Sequence, residues 1–351
     1  MRELAKNDPR LFLKQFKPPL ILDEIQYVPE LLPYLKIEID NTKQSGMYWL
    51  TGSQHFAMMK HASESLAGRM ALFTLLGFSQ RELYGNGLNE PPFLPGEAYL
   101  NKSFNNDINA TFGQIFKGGM PFLNLQKDAD RDVYFNSYLQ TYILRNLREL
   151  TQVADLTKFT RFIKICAART GQLLNYSNIA QDADVSVQTA KNWLSVLETS
   201  FMVYLMQPYY SNLTSRLIKT PKLYFLDTGL CAFLTAWNSP ETLMNGAMSG
   251  AVFETMVVTE VLKSYWNRGL HAPLFYYRDK EGKEIDMIIE NNDMFFPVEV
   301  KLSSTVRREW VKHFSVLEKF KKTIGNGAVI CLTDRPQFID AKNLAINIRQ
   351  I

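Results

Sequence analysis

The chain has 351 residues, 46% of them apolar and 21% charged, with a net charge of +4. That is too long for one ordinary domain, apolar enough for two or three packed cores, and basic enough to permit nucleic-acid contact without demanding it. No apolar run approaches the ~20 residues that span a bilayer, and Met1 is followed by a mixed polar segment rather than a secretory apolar core. A membrane partner is therefore not expected. Three cysteines, Cys166, Cys231 and Cys331, are far apart and odd in number, and four histidines form no ligand pair. This argues against a disulfide framework, a zinc knuckle or a histidine-based metal site, and for a reducing, cytoplasmic setting.

The first third reads as alternating strands and helices. Residues 19–22 are a short apolar run ending in Asp23 and Glu24, as in a buried parallel strand. Residues 28–40 read as a helix, 47–50 as a second strand ending at Thr51-Gly52-Ser53-Gln54, 55–68 as a helix and 70–76 as a third strand. Such alternation implies a parallel α/β sheet. Residues 85–106, rich in Gly, Pro and Asn, read as a boundary loop.

The middle third is helical. Residues 176–183 form the first helix of a helix-turn-helix rhythm, Asp184-Val185 the turn, and Ser186 the cap of the second. Val187, Ala190, Trp193, Leu194 and Leu197 share one face of that second helix. Gln188, Thr189, Lys191 and Asn192 share the other, with side chains able to reach base edges or phosphates. Residues 201–206 read as the first strand of a wing. Arg161, Lys164, Arg169, Arg216, Lys219, Lys222, Arg307, Arg308 and Lys312 are candidates for phosphate contact. A packing role between domains is equally consistent with this pattern.

In the last third, residues 250–266 read as an amphipathic helix and 275–278 and 284–290 as strands joined by a charged turn around Gly282. Asn291-Asn292-Asp293 is a turn, 294–301 a third strand, 307–322 a helix and 328–332 a buried strand. Glu299 and Lys301, two apart on one strand, share a face. Asp286 lies in the preceding strand, read as opposite Ile285 and Met287, where a hairpin can bring it to Glu299. Two such carboxylates repel unless a divalent cation or a proton sits between them. Glu254, on the preceding helix, can complete a metal site, and Lys301 can orient a water or steady a phosphate. The plain alternative is a cross-strand Glu–Lys pair on the surface.

Two resemblances raise these readings. Pro18-Pro19-Leu20-Ile21-Leu22-Asp23-Glu24-Ile25-Gln26-Tyr27-Val28-Pro29 resembles the Walker B region of prokaryotic AAA-type ATPases fused to a C-terminal domain of unknown function. Leu50-Thr51-Gly52-Ser53-Gln54, Ser65-Leu66-Ala67-Gly68-Arg69, Gly118-Gly119-Met120-Pro121 and Phe225-Leu226-Asp227-Thr228-Gly229-Leu230 resemble further motifs of that family, in its order. The resemblance covers essentially the whole chain. It implies an ATP and Mg²⁺ site in which Asp23 lies near the metal, Glu24 polarises water, Ser53 or Gln54 senses the γ-phosphate and Arg69 stabilises charge. The alternative for the acidic pair is an ordinary cap on an apolar strand. The family's Walker A loop, G-x-x-x-x-G-K-[ST], does not occur in this sequence, so the site is incomplete here. The order helical Glu254, Asp286, Glu299-x-Lys301 resembles the PD-(D/E)xK nuclease core, although Ile285 stands where that pattern has proline.

The fold expected is α/β. It comprises a partial P-loop (AAA-type) parallel sheet at 1–84, a boundary segment at 85–135, a winged-helix-like domain at 136–220 and a restriction-endonuclease-like domain at 221–351. The function expected is ATP binding coupled to a nuclease-like, DNA-interacting domain, with self-association through uncovered apolar surface. The alternative is a non-catalytic DNA- or protein-binding remnant.

Overall fold

A computed structural model describes residues 1–52, 65–85, 90–101, 107–143, 155–210 and 220–351. It is a mixed α/β structure that divides into two compact units, Met1–Leu72 and Phe73–Ile351. Ser53, Gln54, Arg216 and Lys219 lie outside the described residues, as does most of the helix expected over 55–68.

The smaller unit opens with two short helices, Arg2–Asn7 and Pro9–Gln15. The Asp8 side chain accepts the Leu11 amide at 2.9 Å, and Pro9 occupies the first helical position, where no amide is needed. Strand β1 (Leu20–Leu22) pairs in parallel with β2 (Tyr48–Leu50), Ile21 lying beside Trp49. Residues Pro29–Leu31 form a 3₁₀ turn that passes into the Leu32–Thr42 helix, so the helix read over 28–40 starts late. Leu13, Leu22, Ile25, Leu31, Leu35 and Leu66 make the core. On the other side of the strands Ile21 is 70% and Trp49 59% exposed. Residues 70–76 form no strand, contrary to expectation, and Leu72, Phe73 and Leu75 are exposed. An apolar run becomes a strand only where a neighbour accepts its backbone hydrogen bonds, and no described strand pairs with this one.

In the larger unit the helices Tyr176–Ala183 and Val187–Thr199 pack at the Asp184-Val185 turn, where Asp184 takes the left-handed conformation at φ +55°. Ser186 caps the second helix by accepting the Thr189 amide at 3.0 Å. Ala190, Trp193, Leu194 and Leu197 are buried against the Leu156–Ala168 helix and its neighbours, with Trp193 edge-on to Phe159 and Phe162. Val187 is 41% exposed and does not join them, because it occupies the first helical position, ahead of the contact. A three-stranded sheet, β3 (Gln172–Leu173), β5 (Lys222–Phe225) and β4 (Val203–Met206), lies beside this group in the order β3-β5-β4, antiparallel throughout.

The Ser249–Trp266 helix was expected to be amphipathic, yet Val252–Tyr265 is buried on every side except at half-buried Glu254. It packs against a seven-stranded mixed sheet built from β6 (Leu274–Arg278), β7 (Glu284–Asn291), β8 (Met294–Val300), β9 (Thr323–Ile324), β10 (Gly327–Cys331), β11 (Gln337–Phe338) and β12 (Asn343–Asn347). β6, β7 and β8 are an antiparallel meander, while β8, β10 and β12 run parallel. Asn292 and Asp293, both at positive φ, close the two-residue β7–β8 hairpin, as residues tolerant of the left-handed region allow. Residues expected as a helix over 307–322 form two 3₁₀ turns instead, Arg308–Val311 and Phe314–Phe320. Val311, Phe314 and Leu317 recur every three residues and are all buried, which is the period of a 3₁₀ helix.

Two sequence motifs meet at a glycine-lined junction. Asp227 accepts the Gly119 amide at 2.8 Å and the Leu230 amide at 2.8 Å. Gly118, at φ +77°, leaves room for that carboxylate, since a Cβ there would stand 2.4 Å from Asp227 Oδ1. Arg131 ties the junction from outside, donating to the Phe116 carbonyl at 2.7 Å and the Gly229 carbonyl at 3.1 Å.

Candidate active site

The two acidic constellations singled out in the sequence differ in their setting. In the smaller unit, Asp23 follows β1 at the surface, and its carboxylate accepts the Thr51 hydroxyl. The Glu24 amide donates to the same hydroxyl at 3.3 Å, and Glu24 takes the left-handed conformation at φ +53°. The Glu24 carboxylate accepts a hydrogen bond from the Gln26 side chain. Arg69 is committed to Asp40, with Nε 2.5 Å and Nη2 3.1 Å from its two carboxylate oxygens. This bidentate pair holds the Asp40 carboxyl below its ordinary range.

In the larger unit, Glu254, Asp286, Glu299 and Lys301 are brought together. Glu254 projects from the Ser249–Trp266 helix, and Asp286 from β7. Glu299 lies in β8 and Lys301 just beyond it. The β7–β8 register runs from Asn291 opposite Met294 to Met287 opposite Val298, and Asp286 and Glu299 come directly after the last paired residues. Asp286 Oδ2 accepts the Val300 amide at 2.9 Å. Lys301 Nζ lies 2.6 Å from Glu299 Oε1 and 3.9 Å from Asp286 Oδ2. Alternation along β7 is not strict. Ile285 packs with Phe295 and Leu317, whereas Met287 packs with Val298 and Val300, so the two isoleucine and methionine positions read as one face fall in different cores. The irregularity matches a register shift against β6, where the two-residue step from Phe275 to Tyr277 is met by the three-residue step from Ile288 to Ile285 in β7.

Three site residues were missed or misread. Lys222, expected at the surface as a phosphate contact, is buried. Its Nζ lies 2.6 Å from Glu284 Oε1, 3.3 Å from Glu254 Oε1 and 3.9 Å from Asp286 Oδ1. The Tyr224 hydroxyl donates to Glu254 Oε1 at 2.6 Å. Glu284 binds Lys222 from the rim, where Arg278 also reaches it at 3.6 Å. The period of β5 explains the geometry. Leu223 and Phe225 face the core of the helix pair, so Lys222 and Tyr224 face the other way, toward Glu254. The signal available in sequence was a lysine inside an apolar strand, two residues before a tyrosine.

The electrostatics are those of a crowded, poorly hydrated cluster. Four carboxyl groups, Glu254, Glu284, Asp286 and Glu299, face three cations, Lys222, Lys301 and Arg278. Burial, then repulsion from Asp286, pushes Glu299 up to about 8 against the pull of Lys301. The same two causes raise Glu254. Burial works against the Lys222 charge, but Glu254, Asp286 and Glu284 outweigh it and hold its pKa above that of an ordinary lysine. The excess of carboxyl groups can be met by a proton or by a cation. The oxygen donors suit a hard ion such as Mg²⁺ or Mn²⁺. Among the described residues no three acidic, histidine or cysteine side chains form a ready-made metal cage.

In the paired-helix region Gln188, Lys191 and Asn192 are exposed and Thr189 is half-buried. Gln188 donates to Asn192 at 2.9 Å, and Lys191 lies over the Tyr176 ring. Of the basic residues singled out, Arg161, Lys164, Arg308 and Lys312 are exposed. Arg169 is tied to Asp182, and Arg307 lies 3.6 Å from Glu309.

Comparison with known families finds matches to three parts of this chain. A family model described as an AAA domain matches residues 1–84, and two described as domains of unknown function, DUF8612 and DUF4143, match 110–241 and 249–351. The chain thus carries an AAA-like, ATPase-type region followed by a C-terminal domain of unknown function. Uncharacterized proteins of Mycobacterium tuberculosis and Mycobacterium bovis are each 26% identical to it over 298 residues, which is 85% of this chain and 62% of theirs. An uncharacterized protein of Methanocaldococcus jannaschii is 24% identical over 287 residues, 73% of this chain and 59% of its own. The chain therefore spans about three-fifths of the length of these relatives. No solved structure matches it. Among the described residues no helix is long and apolar enough to cross a membrane.

Proposed function

We propose that this chain couples an AAA-type ATP-binding region to a nuclease-like, DNA-interacting domain, in which Glu254, Asp286 and Glu299 hold Mg²⁺ or Mn²⁺ and Lys301 orients a water or steadies a phosphate. The observation that carries this reading is the approach of carboxyl groups from one helix and two strands to a shared lysine, in the helix-Glu, Asp, Glu-x-Lys order of PD-(D/E)xK nucleases. A bound divalent ion would supply the Lewis acidity for attack on a phosphodiester. The larger unit is read as a winged-helix-like part, 136–220, followed by a restriction-endonuclease-like part, 221–351. The paired helices and the β4–β5 strands support the first of these, with Gln188, Thr189, Lys191 and Asn192 as its DNA contacts. In the AAA-like region, read as 1–84, Asp23 serves Mg²⁺, Glu24 the attacking water, Ser53 or Gln54 the γ-phosphate and Arg69 the developing charge. Arg69 must leave Asp40 to do so. Free, buried cysteines accord with a reducing, cytoplasmic setting.

The test is Mn²⁺ titration of the full chain, wild type against Asp286→Asn. At least a tenfold loss of affinity is expected for the loss of one charged ligand, and equal affinity would sink the nuclease-like reading. The sequence holds no phosphate-cradling Gly-x-x-x-x-Gly-Lys stretch, so this polypeptide should turn over ATP far more slowly than the ~1–10³ s⁻¹ of ordinary enzymes. Turnover at such rates, abolished by Glu24→Gln, would show that the ATP site is complete without that loop.

A second reading, a non-catalytic DNA- or protein-binding module, is favoured by one observation: Lys222 and Lys301 already neutralise part of the cluster. It predicts DNA or protein binding unaffected by Mn²⁺ and by Asp286→Asn.

A further inference from the structure

We propose that Lys222 is the resident cation of the carboxylate cluster: it engages the carboxyl groups that a divalent ion needs, so metal binds only as Lys222 is displaced, and that competition sets the metal affinity. The proposal rests on the cation-site reading given above and adds a regulator to it. The Lys222 ammonium touches three carboxyl groups, and two of them, Glu254 and Asp286, are candidate metal ligands. A divalent ion bonds such oxygens at ~2.0–2.6 Å. An ammonium 3.3 Å from Glu254 Oε1 and 3.9 Å from Asp286 Oδ1 would then stand within a few ångströms of the ion and repel it strongly in so buried a place.

The placement of Lys222 suits a movable cation. It comes from β5, in the three-stranded sheet, whereas Asp286 and Glu299 sit on neighbouring strands of the seven-stranded sheet. The lysine can therefore leave without disturbing the hairpin that aligns those two carboxylates. A lysine stem of four carbons is intrinsically flexible, and Glu284, 2.6 Å away on the rim, can keep the ammonium paired after it withdraws from Glu254 and Asp286. Among the described residues, the other buried lysine of this unit differs in each respect. Lys263 meets a single carboxylate, Glu260, at 3.0 Å and is pinned by the Phe78 carbonyl at 2.9 Å, while Glu260 also accepts the Gln80 amide at 2.7 Å. That pair clamps the 78–80 segment to its helix and has no surplus carboxylate to hand over.

The experiment uses the full chain and Mn²⁺, with free Mn²⁺ followed by electron paramagnetic resonance for wild type, Lys222→Met and Asp286→Asn. Lys222→Met should bind Mn²⁺ about tenfold more tightly, the effect of removing one competing charge. In wild type, acetic anhydride labelling of Lys222, read by mass spectrometry, should be slow without metal and rise several-fold along the Mn²⁺ binding curve. Affinity in Lys222→Met equal to or weaker than wild type overturns the proposal, as does Lys222 labelling that Mn²⁺ leaves unchanged. Should Lys222→Met fail to fold, the labelling of wild type decides alone. If Asp286→Asn binds as wild type does, the cation site itself falls. If Asp286→Asn weakens binding while Lys222→Met does not strengthen it, only the role of Lys222 falls.

Discussion

The two acidic constellations of this chain are built in opposite ways. Asp23 and Glu24 follow a short strand of a two-stranded parallel pair and accept hydrogen bonds from the neutral side chains of Thr51 and Gln26, near in the fold. Glu254, Asp286 and Glu299 come from three different elements, face lysines, and are walled by the helix and sheet that carry the main core. In the first arrangement Asp23 is exposed and Glu24 half-buried, and the hydrogen bonds they accept come from neutral side chains. The second stores electrostatic tension in a fixed place, because burial makes each uncompensated charge costly and only packing holds the groups together. The chemistry proposed for the second site is thus bound up with the stability of the larger unit.

This contrast can be tested by breaking the packing that holds the second site. Phe253 is fully buried beside Glu254, and Phe253→Ala should cost ~3–5 kcal/mol in denaturant unfolding of the larger unit. Mn²⁺ uptake should fall with it, since Glu254 loses its fixed backbone. A cost under ~1 kcal/mol would mean that the helix is not the scaffold of the site.

A second effect, spread over several pH units, follows from the raised carboxyls. Burial and Asp286 push the Glu299 carboxyl up from 4.5 to about 8, so between these values the native state binds a proton that the unfolded chain releases. Its contribution to stability is complete below about 4.5 and is lost as pH rises through about 8. Wild type should therefore lose up to ~1.4 kcal/mol per pH unit from this group across that window. Glu299→Gln should flatten the slope and be the more stable form at the alkaline end. Parallel pH profiles of the two proteins by denaturant titration would refute the assignment.

Local chemistry made much of this legible in sequence, and distance hid the rest. The Asn292-Asp293 turn, the 249–266 helix and the Glu299-x-Lys301 spacing each depend on residues within a few positions of one another. Lys222 takes its meaning from carboxylates at positions 254, 284 and 286, which no local period can reveal. The 307–322 segment was misread because spacing of three and of three-to-four overlap over so short a stretch, and only the strict recurrence at Val311, Phe314 and Leu317 separates them. The 70–76 run was misread for a different reason. Apolarity proposes a strand, but pairing makes one.

The smallest effect belongs to the open face of the first region. Ile21 and Trp49 are paired neighbours on β1 and β2, and both keep more than half of their surface in solvent. Truncating an exposed side chain removes little burial, so Trp49→Thr should change the stability of the smaller unit by less than ~0.5 kcal/mol. Threonine is β-branched, a shape that suits a strand. The same substitution should matter to association, because adjacent exposed apolar side chains are a surface that chains bury against each other. Sedimentation of wild type should show concentration-dependent self-association that Trp49→Thr reduces. A stability loss above ~1.5 kcal/mol would show that Trp49 is buried within the folded chain, and the contrast between an open region and a walled one would then fail at its open end.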